Sequence, residues 1–243
     1  ENVRAYRGAR FVPVLKADAN ARTAFVHRIS VNRATEDVAV ESELVHITDA
    51  IPDDPEVAAV VDEWVEKAFA GFREQGFTPN RVAVTIGEVL DGREGTVRTR
   101  PALLGQLIAD GFKAAGGVDA ALFNGGSIRI DDVITVGPFT EYDAIRVMLF
   151  GGEVLTIRLP GAILARVLDQ GEANAGTGGY LQRSGIERGA NGWTVAGRPL
   201  DPAATYTIAV NDFLASGREA NLDYFSIEGN PDIAQVGEHG DVR

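Results

Sequence analysis

The chain has 243 residues, 45% of them apolar and 24% charged, enough material for one large domain or a domain plus a fragment. Its net charge of −12, without a basic stretch, argues against nucleic acid or an anionic membrane as partner, and no run approaches the roughly 20 apolar residues that cross a bilayer. Cysteine is absent, which removes thiol nucleophiles, thiolate metal sites and disulfides together.

The opening Glu1-Asn2-Val3-Arg4 is charged, with no initiator Met and no apolar core, so a piece of a longer chain without a signal peptide is expected. The three histidines, His27, His46 and His239, are not at helical ligand spacing. His27 and His46 fall in strand-like stretches and His239 in a polar tail, so an imidazole metal site is not expected in this chain.

Residues 1–50 read as strands: Phe11 to Leu15, broken by Pro13, then Phe25 to Val31, Val38 to Val40, and Leu44 to Ile47. This is too little apolar material for a core of its own. The next segment is the clearest helix. Val57, Val60, Val61, Trp64, Val65, Ala68, Phe69 and Phe72 recur at helical spacing, Asp54 can cap the start, Pro55 suits the first turn, and Gly76 can end it. So rich a stripe is expected on a core or a domain interface. Val82 to Ile86 reads as a strand and Pro101 to Ala115 as a helix with Leu104, Leu107, Ile108 and Phe112 on one face. Ala120 to Phe123 reads as a short buried strand. Ile145 to Leu149 and Val154 to Leu159 flank Phe150-Gly151-Gly152 and suggest a tight hairpin. Gly161 to Leu168 reads as a short helix and Tyr206 to Val210 as a strand. The irregular alternation predicts an α+β fold, a mixed β-sheet with packed helices, preceded by a β-rich fragment and a linker helix.

Several local patterns could carry chemistry. Asn124-Gly125-Gly126-Ser127-Ile128-Arg129 stands at a strand end, where two glycines let the backbone turn sharply or approach a ligand. Its Asn is an amide donor and acceptor, and its Arg a planar fork suited to phosphate. Arg98-Thr99-Arg100 precedes a helix and is either an anion site or a solvated basic stretch. Phe150 and Phe213 sit at turns, where an aromatic ring packs into minor core or stacks on a ligand. No phosphate loop of the Walker type, no nucleophile elbow and no acid pair suggesting a catalytic dyad occurs.

The order of these patterns is more specific than any one of them. Arg98-Thr99-Arg100 is followed by Leu104-Gly105-Gln106-Leu107-Ile108-Ala109-Asp110, then Asn124 to Arg129 and Phe150-Gly151-Gly152. Gly178-Gly179-Tyr180-Leu181-Gln182 and Asn211-Asp212-Phe213-Leu214-Ala215-Ser216-Gly217 complete the series. It resembles, over about residues 80–227, the C-terminal, substrate-binding domain of the 5'-nucleotidase family, which includes bacterial UDP-sugar hydrolases and ecto-5'-nucleotidases.

The resemblance implies a division of the chain. Residues 1–52 look like closing strands of a truncated metallophosphatase domain, residues 53–80 like an inter-domain helix, and residues 81–243 like the nucleotide-binding domain. It implies phosphate contacts at Arg98 and Arg129, a base contact at Asn124, base-stacking rings at Phe150 and Phe213, and a base-pocket backbone at Gly178. Glu219 stands near the family's ribose-binding Asp, in Gly217-Arg218-Glu219-Ala220 where the family commonly has Gly-Gly-Asp-Gly. Two other departures are Met148-Leu149-Phe150 for Leu-Pro-Phe, and Pro101 where a Glu usually stands.

The implied activity is metal-dependent phosphoric ester hydrolysis in nucleotide catabolism, with a nucleotide or nucleoside as ligand. The implied cofactors are two divalent metals, held by the missing metallophosphatase domain in cis; this chain is expected to hold none and to be inactive alone. A periplasmic or extracellular location is implied. The alternatives are a non-catalytic extracellular binding module, and a related esterase acting on a cyclic nucleotide or a thiosulfate-type substrate.

Overall fold

The computed structural model describes residues 15–243, so most of the apolar run beginning at Phe11 lies outside the described residues. The chain divides into two compact units, one up to Ala68 and one from Phe69 onward.

In the first unit, strands β1 (Thr23–Val31) and β2 (Val38–His46) pair antiparallel along their whole length. The two short strands expected at 38–40 and 44–47 are one strand, because the polar residues between them have partners across the pair. Ser42 Oγ lies 2.8 Å from His27 Nδ1, and Arg28 donates to Glu43 at 3.2 Å. Helix α1 (Pro55–Glu74) crosses the boundary between the units. Asp54 Oδ1 caps it, accepting the N–H groups of Glu56 at 2.9 Å and Val57 at 3.2 Å. Gly76, with φ of 91°, ends it. Of the core or domain interface expected for its stripe, the described residues supply no core: no α1 residue is buried, and Trp64 is 64% exposed. Among the described residues, the first unit has only a two-stranded hairpin with largely exposed faces beside this helix, and no second layer. Past the boundary, Phe69 and Phe72 pack on Tyr142, with ring centroids 5.0 and 6.3 Å away.

The second unit contains, in order, β3 (Val82–Ile86), β4 (Leu90–Asp91), α2 (Glu94–Val97), α3 (Leu103–Gly116), β5 (Ala121–Asn124), β6 (Val133–Ile134) and β7 (Gly137–Thr140). These are followed by α4 (Glu141–Val147), β8 (Glu153–Pro160), α5 (Gly161–Ala173), β9 (Leu181–Ser184), β10 (Ile186–Gly189), β11 (Gly192–Val195) and β12 (Arg198–Pro199). The chain closes with β13 (Thr205–Asn211), α6 (Asp212–Ala215) and β14 (Ala234–Asp241). The main sheet has the order β14-β8-β13-β5-β9. Only β13 and β5 run parallel; the other neighbours are antiparallel.

The sheet is covered on both faces, as its alternating side chains require. Ala121, Phe123 and Ala209 face one cluster, with Leu104, Ala109 and Phe112 of α3. Leu122, Ile208 and Val210 face the other, with Leu164, Val167 and Leu168 of α5. This is the mixed-sheet α+β architecture that the sequence predicts. Truncating any one of these fully buried Leu or Phe side chains to Ala costs about 2–5 kcal/mol.

Two local expectations are corrected. Residues 145–159 are not a hairpin: α4 leads into β8. A capping box starts the helix, since Thr140 N–H donates to Asp143 Oδ2 at 2.8 Å and Asp143 N–H to Thr140 Oγ1 at 3.3 Å. Gly151 and Gly152, at φ of 65° and 111°, then reverse the chain. The polar tail around His239 is also structured, as the edge strand β14, with His239 Nε2 3.1 Å from Thr156 Oγ1. An edge strand needs few apolar residues, so periodicity does not reveal it.

Asp91 makes the fold sensitive to acid. Its carboxylate accepts Arg93 Nε at 2.9 Å and Nη2 at 2.7 Å, and the Thr96 hydroxyl at 2.8 Å. The Arg93 guanidinium, with the Thr96 hydroxyl, holds this carboxyl well below the usual range. Its folded value is below its unfolded one. The stability it contributes is therefore complete above the unfolded value, near 4, and is lost as pH falls from there toward the folded value. We predict that the urea midpoint drops between about pH 5 and pH 2.5, and that Asp91→Asn flattens part of that drop. Unfolding curves at several pH values check this.

Candidate functional site

The topology gathers loops at one edge of the main sheet. The parallel neighbours β5 and β13 both end there, at Asn124 and Asn211. Their antiparallel neighbours start there, since Asn124 pairs with Leu181 of β9 and Asn211 with Val154 of β8. The carboxyl ends of adjacent parallel strands are where open α/β sheets place ligands. A cleft of about 450 Å³ lies at this edge. Asn124, Arg129, Phe150, Gly178, Phe213 and Glu219 all line it, so six of the seven residues singled out from sequence share one cavity.

The glycines bring the loops into contact. After Asn124 the chain makes one turn of 3-10 helix, Gly125–Ser127. Gly125 N–H donates to the Tyr180 carbonyl at 2.6 Å and Gly126 N–H to the Gly178 carbonyl at 2.8 Å. A Cβ on Gly125 would collide with the Val97 carbonyl oxygen, and one on Gly126 would stand 2.9 Å from Gly178 Cα. Three loops thus meet backbone to backbone, and no larger residue fits between them.

Asn124 is buried, and its Oδ1 accepts the Ser127 hydroxyl at 2.7 Å and Asn211 Nδ2 at 3.1 Å. With that oxygen occupied, the group it can offer a ligand is its NH2. Asn211 also donates to Ser127 Oγ at 3.2 Å, while its own Oδ1 is buried without a partner. Sequence reading missed Asn211 as a site residue. The signal was available: Ala121-Leu122-Phe123-Asn124 and Ile208-Ala209-Val210-Asn211 are apolar runs that each end in Asn.

The two arginines are in different circumstances. Arg129 is exposed, and its guanidinium stands 5.0 Å from the Phe150 ring centroid. Among the described residues it has no carboxylate partner. Arg98 does not line the cleft. Its guanidinium is ion-paired with Glu94, one helical turn earlier, and its carbonyl accepts Gly176 N–H at 2.7 Å. Residues 97 and 98 therefore stand behind the Gly125–Ser127 turn.

Phe150 is 74% exposed and Phe213 is 39% exposed. Phe213 follows a strand end, as expected, in the first turn of α6; Phe150 follows α4 instead of a strand. Glu219 Oε1 accepts its neighbour's N–H, from Ala220, at 2.8 Å. Two amides absent from the candidate residues fix the loops. Asn174 Nδ2 donates to the carbonyls of Gly179 at 3.3 Å and Ala220 at 2.9 Å, tying the Gly178 and Glu219 segments together. Gln182 Nε2 donates to the carbonyls of Val97 at 2.7 Å and Arg100 at 2.8 Å, and its Oε1 accepts Ala102 N–H at 3.0 Å.

Among the described residues no three His, Asp or Glu side chains converge on a point that could hold a metal, so the residues present do not fit a dimetal centre. Nor is any described helix long and apolar enough to cross a membrane.

Comparison with known proteins gives a consistent set of relatives. The family model described as 5'-nucleotidase, C-terminal domain, matches residues 81–226. The trifunctional nucleotide phosphoesterase protein YfkN of Bacillus subtilis is 30% identical over 171 residues, 60% of this chain and 11% of that protein. Protein UshA of Yersinia enterocolitica is 26% identical over 218 residues, 86% of this chain and 37% of that protein. The crystal structure of a 5'-nucleotidase precursor from Thermus thermophilus has the same fold, with a TM-score of 0.72 at 23% identity, over 99% of this chain and 49% of that one. The chain spans half or less of the length of each.

Proposed function

Since the chain belongs to the 5'-nucleotidase C-terminal domain family, we propose that it is the nucleotide-binding portion of a metal-dependent phosphohydrolase of nucleotide catabolism. The observation that carries this reading is the cleft itself. Two exposed rings, an amide donor and an arginine without a carboxylate partner line one cavity at the carboxyl ends of parallel strands.

The rings take the base by stacking, which is tolerant of base identity because every base has a π-face. The Asn124 NH2 addresses the base edge, and Glu219 faces the sugar hydroxyls. Arg129 receives the phosphate as a charge-assisted contact. This chain contributes orientation and no step that breaks a bond. Divalent metals on a metallophosphatase domain joined in cis would supply the activated water. A periplasmic or extracellular location is part of the same proposal.

The chain is expected to bind AMP weakly, roughly in the high micromolar to millimolar range. It is expected not to hydrolyse AMP, UDP-glucose or a chromogenic phosphate ester, with or without added manganese or cobalt. Arg129→Ala should remove most of the preference for AMP over adenosine, about ten-fold for a lost hydrogen bond to a charged group. Arg98→Ala should change that preference less, because Glu94 already holds the Arg98 guanidinium. Chemical-shift titrations with both ligands check this. Equal AMP and adenosine affinities in the wild type would refute the phosphate assignment, and metal-dependent turnover co-purifying with the chain would refute its passivity.

A further inference from the structure

We propose that Arg243, outside the span matched by the family model, is a positioning residue that holds the Phe150 loop in its binding shape; this rests on the reading of the cleft given above. Phe150 projects from a turn containing two glycines at positive φ. With the ring 74% exposed, little packing of its own holds it. Such a turn would have to be ordered when a ligand stacks on the ring, and ordering a loop or side chain weakens binding unless it is done beforehand.

Arg243 does that ordering from beneath. An added Cβ on Gly151 would stand 3.0 Å from Arg243 Nη2 and 3.1 Å from Cζ, so the turn rests directly on the guanidinium plane. The plane is itself fixed on two sides. Asp241 takes Arg243 Nε at 2.8 Å and Nη2 at 2.7 Å, a two-toothed contact. The Phe77 ring centroid is 4.7 Å from Cζ. Next to it, Val242 N–H donates to the Gly152 carbonyl at 3.0 Å, and Asp241 is in register with Glu153. The Arg243 side chain is only 12% exposed. It lines a separate cavity of about 300 Å³, whose wall includes Met148, a residue that also lines the cleft. The end of β14 therefore lies under the wall of the cleft without facing its interior.

The test uses the whole chain, with AMP and ribose 5-phosphate as probes in chemical-shift titrations. Arg243→Ala is expected to weaken AMP binding roughly three- to ten-fold, a fraction of what stacking contributes, and to leave ribose 5-phosphate affinity unchanged. Arg243→Lys, which keeps the charge but not the planar two-toothed contact, should show a smaller loss in the same direction. In a Phe150→Ala background neither change should add a further loss. Amide shifts caused by the Arg243 variants should centre on residues 150–153 and on Phe77. If Arg243→Ala does not fold, Arg243→Lys carries the test alone. Unchanged AMP affinity in the Arg243 variants, with Phe150→Ala weakened, overturns this inference and leaves the cleft assignment standing. Equal losses for both ligands show a general structural defect and overturn it too. A folded wild type that binds no AMP overturns the cleft assignment and this inference together.

Discussion

Phe213→Ala is expected to weaken AMP binding by roughly ten-fold or more, within the range that loss of about 1–3 kcal/mol of base stacking allows. The ring is on the cleft wall and part of its surface is open. Its backbone is held independently of the ring. Phe213 N–H donates to Asp212 Oδ1 at 2.7 Å, its carbonyl accepts the Ser216 hydroxyl at 2.6 Å, and buried Leu214 and Ala215 anchor the rest of α6. Removing the ring therefore removes ligand contact while the turn that carries it stays in place. Glu219→Ala should have a smaller effect. Its Oε1 already accepts a hydrogen bond from its own loop, so part of its accepting capacity is taken up before a sugar hydroxyl arrives. Titration of wild type, Phe213→Ala and Glu219→Ala with AMP ranks them. Wild-type affinity in Phe213→Ala would remove the stacking assignment.

Gly125→Ala is expected to be the most damaging small substitution in the site, costing about 2–4 kcal/mol of stability as an overpacking change against backbone. The new Cβ would overlap the Val97 carbonyl oxygen. That oxygen cannot simply withdraw, because it also accepts Gln182 Nε2 at 2.7 Å. Moving Gly125 instead would strain its 2.6 Å bond to the Tyr180 carbonyl. For a chain of this size each kcal/mol lowers the melting temperature by about 2–4 °C, so a drop of roughly 5–15 °C is expected. Gly95→Ala is the control. It lies in α2, nothing stands within 4 Å of an added Cβ, and Ala favours a helix over Gly, so it should leave the melting temperature unchanged or slightly raised. Thermal unfolding of the two variants settles the comparison; equal melting temperatures would show that the loops can separate freely.

How much of this was legible in the sequence depended on whether a residue's reason lay near it in the chain. Helix α1 was legible because Asp54, Pro55 and Gly76 are local signals; the fate of its stripe was not, because burial depends on what lies opposite. Strands β5 and β13 were legible as apolar runs buried on both faces. Ile145, Arg146 and Val147 alternate like a strand but belong to α4, where the Thr140–Asp143 capping box outweighs two β-prone side chains. Strand β14 carried no apolar signal, being at an edge. The cleft residues were reached through the order of motifs. Arg98 was reached in the same way, and its ion pair with Glu94 lies one helical turn away in the sequence. Asn211, Asn174 and Gln182 act by joining loops far apart in sequence, and no local pattern announces such a role.

The pairing of β5 with β13 has a consequence for how the molecule reaches its working form. Asn124 and Asn211, 87 positions apart, come together only when these strands align side by side. Antiparallel pairing of β8 with β13 and packing of α3 on β5 can proceed over shorter separations, whereas this contact must close a long loop before it returns any free energy. Proteins rich in such distant contacts fold slowly. Nucleotide affinity should accordingly appear at the end of refolding, later than secondary structure, and a nucleotide present during refolding should slow unfolding more than it speeds folding.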